Sequence, residues 1–307
     1  MLADTRAAAR RIAPHIERTP LVEATALGER LGCKLWLKAE NLQVAGAFKA
    51  RGAHNAVFLL PDNLASRGVA THSSGNHGAA LALAAKRRAI RAYIVVPRGA
   101  NPTKVAAIES HGAVLIECEP TLDARESRLA EVVKSTGAQF IHPYENADVM
   151  AGQGTVALEI IDQFGGNGPD VVVAPLGGGG LLGGVSSVLH EAQPSVVVYG
   201  VEPTGAADGQ RGFRTGVRVQ NHVPDTVADG LLTTVGVPNF EVIRRCVTDI
   251  VVAPDAVTMS LVADIEKATG GRVEPSGAVS VAGIASNRDL FEGRSVVAVI
   301  SGGNPSP

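Results

Sequence analysis

The sequence predicts an α/β fold of two open, twisted, mostly parallel sheets covered by helices. Short Val- and Ile-rich runs recur, among them Ala92-Tyr93-Ile94-Val95-Val96, Val171-Val172-Val173-Ala174 and Val296-Val297-Ala298-Val299-Ile300. These runs are apolar at every position, as strands are when helices cover both faces of a parallel sheet. Between them lie Ala-rich stretches of helical period, so strands and helices alternate along the chain. Glycine-bearing turns directly follow several of the runs, and in open α/β sheets ligands sit outside the carboxyl ends of the strands.

In chain order, Asp4, Arg6, Arg10 and Arg11 among alanines predict an N-terminal amphipathic helix, without the unbroken apolar stretch of a signal peptide. Gly46-Ala47-Phe48-Lys49-Ala50-Arg51-Gly52-Ala53 follows, with its lysine where a helix should begin. Val69-Ala70 reads as a short strand and the next helix as starting near Ala79. Further strands are expected at 92–96 and 113–116. The polar, proline-containing Ile141-His142-Pro143-Tyr144-Glu145-Asn146 reads as a linker between two sheet units, ahead of a helix start at Ala151-Gly152-Gln153-Gly154. Strands at 171–174, 196–199 and 296–300 complete the pattern.

With 307 residues, 45% of them hydrophobic, the chain can bury one large core or two moderate ones. A net charge of -2 and no Lys/Arg run provide no basic field for nucleic acid or an anionic membrane. The apolar runs are too short to span a bilayer. Cys33, Cys118 and Cys246 are scattered without CxxC spacing, which fits a reducing cytoplasm and no disulfide framework. A small-molecule enzyme or a neutral binding protein is the class left.

Lys49 either points to solvent from the first helical turn or sits in an apolar setting where a neutral amine can condense with an aldehyde. Leu176-Gly177-Gly178-Gly179-Gly180-Leu181, between a strand and a helix, is either a flexible turn or a cradle whose bare N–H groups hold a phosphate. Thr71-His72-Ser73-Ser74-Gly75-Asn76-His77-Gly78 is either an ordinary Ser/Asn cap or a receptor for a carboxylate, with Asn76 free to bond a ring substituent. His72 and His77, with no Cys or carboxylate pattern beside them, read as structural. Ser301-Gly302-Gly303-Asn304 is a plain turn, or a hydroxyl able to meet a pyridine nitrogen. A nucleotide-dependent oxidoreductase is a weaker reading, because GGGG lacks the spaced GxGxxG; a non-catalytic amino-acid-binding protein is the reading if the lysine is unreactive.

Together, and in this order, these motifs resemble the fold type II, tryptophan synthase β-like family of pyridoxal-phosphate enzymes, in its serine racemase and serine/threonine dehydratase branch. Arg18-Thr19-Pro20-Leu21, Ala151-Gly152-Gln153-Gly154-Thr155, Ala228-Asp229-Gly230 and Glu274-Pro275-Ser276-Gly277-Ala278 extend the resemblance over nearly the whole chain. It implies pyridoxal 5'-phosphate on Lys49, with Phe48 beside the ring and Asn76 on its 3′ oxygen. Gly177, Gly178, Gly179, Gly180 and Leu181 would hold the phosphate, Glu274 would line the cofactor site, and Ser301 would face the pyridine nitrogen. A neutral serine there suits β-elimination. A large lobe is expected from residues 1–50 and 146–307, and a small, mobile, substrate-closing lobe from 51–145.

By the same resemblance the substrate is an amino acid such as serine, threonine or 3-hydroxyaspartate, held by Ser73, Ser74, Asn76 and His77. Lys49 serves one face of the α-carbon. Ser74 is the second base of a racemase or, in a dehydratase, only a carboxylate ligand. Arg125 either pairs with a distal carboxylate or is a solvated helix residue. Glu202, the Ala206 carbonyl and Asp208 resemble a loop for Mg2+, or Ca2+ or Mn2+, although by spacing alone Glu202 to Asp208 is a polar turn. Ala47 departs from the serine common before Phe-Lys in the family. With six residues after Ser301 in the sequence, a regulatory C-terminal domain of the threonine dehydratase kind is not expected, and the resemblance implies a homodimer.

Overall fold

The computed structural model describes residues 1–166 and 168–304. Ten strands are described: β1 (Leu21–Glu23), β2 (Lys34–Ala39), β3 (Val69–His72), β4 (Ala92–Pro97), β5 (Val114–Cys118), β6 (Gln139–Phe140), β7 (Val171–Pro175), β8 (Val197–Pro203), β9 (Asp249–Ala253) and β10 (Ser295–Ile300). They form a six-stranded sheet in the order β1-β2-β10-β7-β8-β9 and a four-stranded sheet in the order β5-β4-β3-β6. All pairs are parallel except β1 with β2.

Strand alternation sorts the core residues onto the two faces of each sheet. In β10, Val296, Ala298 and Ile300 join one buried cluster while Val297 and Val299 join the other. Helices Pro275–Ser286 and Gly180–Ala192 contribute to those two clusters respectively. The four-stranded sheet repeats the arrangement, with Val69, Ile94 and Val96 on one side and Ala70, Val95 and Cys118 on the other. Such two-sided burial explains the unbroken apolar runs.

Several local expectations are corrected. β3 extends to His72, and the helix after it starts at Asn76, three residues before Ala79. The Ala151-Gly152-Gln153-Gly154 segment is inside a helix that starts at Ala147, where the Asn146 side chain accepts from the amides of Asp148 and Val149. A Cβ on Gly152 would lie 2.6 Å from the Cα of Gly52, so this glycine serves a close helix crossing. The expected amphipathic N-terminal helix is present as Leu2–Ile12, burying Thr5, Ala8 and Ile12.

The helix Lys49–Leu59 packs between the two sheets' helices and is pinned by Arg51, which is fully buried. Its guanidinium donates to both Glu40 oxygens at 2.7 and 2.8 Å, and to Glu159 at 2.7 and 2.9 Å. Lys38, also fully buried, donates to Glu159 at 2.6 Å and to the Thr19 carbonyl at 2.6 Å. Two cations against two carboxylates leave no net charge in this interior, the condition under which buried ions persist.

Candidate active site

Lys49 is the first residue of its helix, and the residues before it are stitched to the carboxyl end of β10. The Phe48 amide donates to the Ser301 carbonyl at 3.1 Å, and Ala47 bridges Gly302. Half-buried Lys49 turns its Nζ toward the carbonyl of Pro143, donating at 3.0 Å, and lies 5.2 Å from the Phe48 ring centre. Among the described residues no carboxylate forms an ion pair with it. Crowding by protein atoms, with no anion to compensate, pulls its pKa down to about 8. The amine therefore has a usable neutral fraction near neutral pH.

β7 ends at Pro175 and the four glycines carry the chain into the helix Gly180–Ala192, whose N-terminus no side chain caps. Gly179 adopts φ +88, a left-handed conformation that favours glycine, and a Cβ there would lie 2.9 Å from that of Asn239. A Cβ on Gly178 would enter the Tyr144 ring. Fully buried Asn239 donates to the Gly178 carbonyl at 2.6 Å and the Tyr144 carbonyl at 3.1 Å, which locks the loop. Leu181 is buried beside it. The supposed linker is thus part of the site: Pro143 meets Lys49, Tyr144 covers the glycines, and Glu145 accepts from the Val237 amide at 2.6 Å.

The helix Asn76–Arg87 likewise has no side-chain cap, so the plain Ser/Asn cap reading is wrong. Ser73 Oγ only accepts from the Gly75 amide at 3.4 Å, and Ser74 is half-buried. Asn76 donates to Glu274 Oε1 at 2.7 Å, across 198 residues of chain. Burial pushes Glu274 up to about 7, and its Oε2 has no partner. His77 is buried, with Nε2 on the Ile141 carbonyl at 3.0 Å; burial, then the nearby Lys49, drives its pKa down to about 3. It is a neutral ring, able to hydrogen-bond but not to supply charge. Buried Ser301 donates to the Ser276 carbonyl at 3.3 Å, so its hydroxyl must rotate to serve a ring nitrogen.

Arg125 is half-buried, its Nε is shielded and unpartnered, and its charge reaches His72 at the end of β3. Near the end of β8, fully buried Glu202 accepts from the amides of Gly209 at 2.9 Å and Gln210 at 2.8 Å. Burial, then the neighbouring Asp208, pushes Glu202 up to about 8. Asp208 accepts from the Val235 amide at 3.1 Å, and Gly236 donates to the Gly178 carbonyl at 3.1 Å, which links this segment to the glycine loop. Ala206 is buried between the two carboxylates in sequence. Among the described residues no three His, Cys, Asp or Glu side chains converge as a metal cluster, so a cation here would need carbonyl and water oxygens too.

A lysine amine at the head of one helix and an uncapped glycine helix joined to it through Pro143 and Tyr144 suit an aldehyde-bearing phosphate ester. A family model described as pyridoxal-phosphate dependent enzyme matches residues 12–302. The chain belongs to the pyridoxal-phosphate dependent enzymes. It is 42% identical over 301 residues to the beta-hydroxyaspartate dehydratase of Paracoccus denitrificans, covering 98% of this chain and 95% of the relative. It is 40% identical over 311 residues to the serine racemase of Dictyostelium discoideum, covering 99% and 94%. The solved structure of maize serine racemase superposes with a TM-score of 0.96 at 37% identity, covering 99% and 94%. Membership displaces the oxidoreductase and binding-protein readings, and this pyridoxal-phosphate enzyme is of the fold type II class expected from its motifs.

The residues present fit the cofactor: bare amides where a phosphate needs donors, a suppressed amine where the aldehyde needs a nucleophile, and an unpartnered Glu274 oxygen beside Asn76. The sequence reading missed Tyr144, Asn239, Lys104 and Asn304. Lys104 forms an ion pair with Asp229, and its charge, then that of Asp229, bears on Glu274. Asp229 belongs to a quoted motif, and Tyr144 and Asn304 stand inside two others. Lys104 and Asn239 have no local signal. Cys33, Cys118 and Cys246 are free and buried, and no helix among the described residues is long and apolar enough to cross a membrane.

Proposed function

We propose that this enzyme withdraws the α-proton of a β-hydroxy amino acid of the serine, threonine or 3-hydroxyaspartate type. It then either returns a proton on the opposite face or expels the β-hydroxyl. The observation that carries the reading is the neutral-capable Lys49 amine, hydrogen-bonded to Pro143 next to the Tyr144 that covers the uncapped glycine loop, in a chain of this family. Pyridoxal phosphate, when bound, supplies the electron sink that acidifies the α-carbon. The amides of Gly177 to Gly180 and Leu181 would hold its phosphate, Asn76 and Ser301 its ring, with Phe48 and Glu274 beside it.

Lys49 takes the proton from Cα on one face. Ser74 is assigned the other, with Ser73, Asn76 and His77 around the substrate carboxylate. In elimination the Cα–H pair becomes the Cα=Cβ bond, the hydroxyl leaves with a proton as water, and the released enamine hydrolyses to a 2-oxo acid and ammonia. The Lys104–Asp229 pair, between the helix Pro102–Ser110 and the short 3-10 turn Asp229–Leu231, supports a small lobe (51–145) closing on the large one (1–50 and 146–307).

A second reading, that a dicarboxylate such as 3-hydroxyaspartate is preferred, is favoured by the shielded, unpartnered Arg125 Nε. An unpaired guanidinium is a ready bidentate partner for a β-carboxylate. We further assign Mg2+, Ca2+ or Mn2+ to Glu202, Asp208 and the Ala206 carbonyl, and a cytoplasmic homodimer as the working assembly. The test incubates purified enzyme with L-serine, D-serine, L-threonine and 3-hydroxyaspartate plus Mg2+, following both 2-oxo acid and enantiomer. A colourless protein that takes up no pyridoxal phosphate refutes the proposal.

A further inference from the structure

Asn304 lies beyond the residues assigned a task above, yet it forms the far end of a polar chain into the site. Its Nδ2 donates to the Ala45 carbonyl at 2.8 Å and to Asn76 Oδ1 at 2.9 Å. Asn76 Nδ2 in turn donates to Glu274 Oε1 at 2.7 Å. The backbone is shaped for this contact. Ala45 stands in the left-handed region at φ 57, unusual for alanine, and a Cβ on Gly46 (φ +71) would run into the Asn304 amide.

The polarity of the chain is set at its outer end. A backbone carbonyl only accepts, so Ala45 obliges Asn304 to turn its NH2 inward. That NH2 then meets Asn76 with a second hydrogen, and Asn76 must present its carbonyl oxygen to it. Glu274 does not make this choice, because a carboxyl group can accept or, when protonated, donate. With Oδ1 turned to Asn304 and one N–H on Glu274, Asn76 keeps its second N–H for whatever lies in the site. We propose that Asn304 is a positioning residue that holds the Asn76 amide with its N–H end toward the oxygen-bearing edge of the cofactor ring. This rests on the reading that Asn76 meets that ring.

The test is a double-mutant cycle on cofactor binding. Wild type, Asn304→Ala, Asn76→Ala and the double variant are titrated with pyridoxal phosphate, recording the apparent dissociation constant and the position of the absorbance band. Asn304→Ala should weaken binding about tenfold, the loss expected of a hydrogen bond that orders a polar group. The double variant should bind no more weakly than Asn76→Ala alone. Asn304→Asp, which keeps the size but removes the donor, should reproduce the loss with an unchanged melting temperature. Unaltered affinity and band in Asn304→Asp, or losses that multiply fully in the double variant, would overturn the proposal. Wild type that fails to load the cofactor on Lys49 overturns the functional reading as well, whereas normal loading with an unaffected Asn304→Asp overturns this inference alone.

Discussion

The Nζ of Lys49 and the carbonyl of Pro143 meet at 3.0 Å across 94 residues of chain. The contact ties the head of one helix to the segment that follows β6, and it leaves the amine with a neutral partner. Because a carbonyl stabilises an ammonium far less than a carboxylate does, the depressed pKa of about 8 survives.

Cofactor uptake should follow that value. At a pKa near 8 the neutral amine rises from about a tenth at pH 7 to about nine-tenths at pH 9. The initial rate at which apoprotein develops its band near ~410 nm should therefore climb about ninefold and then level off. A rate still rising tenfold per unit beyond pH 9 contradicts it. Between about 8 and the ordinary 10.5 the folded chain binds fewer protons than the unfolded chain. Apoprotein stability should thus increase as pH rises through that window, and Lys49→Met should lose that slope in thermal melts.

Ser74 separates two outcomes. In Ser74→Ala the enantiomer of serine should form at least about a hundredfold more slowly, the usual worth of a positioned acid or base. Release of 2-oxo acid should persist, since Lys49 remains. Racemisation at the wild-type rate in this variant refutes the two-base assignment.

Arg125→Gln should raise KM for 3-hydroxyaspartate by about ten- to a hundredfold, as loss of a charged hydrogen-bond pair does. L-serine has no second carboxylate and should keep its kcat/KM. Equal losses on both substrates would assign Arg125 to packing instead.

Glu202 and Asp208 are two buried carboxylates whose charges oppose one another. Chelator treatment should lower the melting temperature by about 5 °C, and millimolar Mg2+ should restore it, the scale of a ligand held at a hundred times its dissociation constant. Asp208→Asn retains an oxygen for the Val235 amide, so it should stay folded while losing the response to chelator and metal. A chelator response undiminished in that variant places the cation elsewhere.

Much of the molecule is legible without coordinates. β7 and β10 are apolar throughout because both faces are covered, and their runs mark them as parallel strands. β2 was not, since Lys34 and Lys38 break its pattern; only Glu159, 121 residues away from Lys38, makes that buried lysine tolerable. The short β1 and β6 also escape, being three and two residues with mixed polarity, and β9 opens on the charged Asp249. The helix starts at Asn76 and Ala147 are hidden in the sequence because the residues before the apolar run are small and polar, as loops are.

The sequence by itself determined the chemistry on offer: a lysine at a helix head, bare glycines at another, and a Ser-Ser-Gly-Asn segment at a third. These are local properties, set by backbone preference and by which amides a short segment leaves free. Only the tertiary structure decided the partners. Asn76 finds Glu274 198 residues away and Asn304 228 residues away, and the helix carrying Arg125 brings that side chain close to the end of β3. Such pairings depend on how two sheets and their helices pack, and polar atoms shielded from water must then take the acceptors and donors that packing puts within reach.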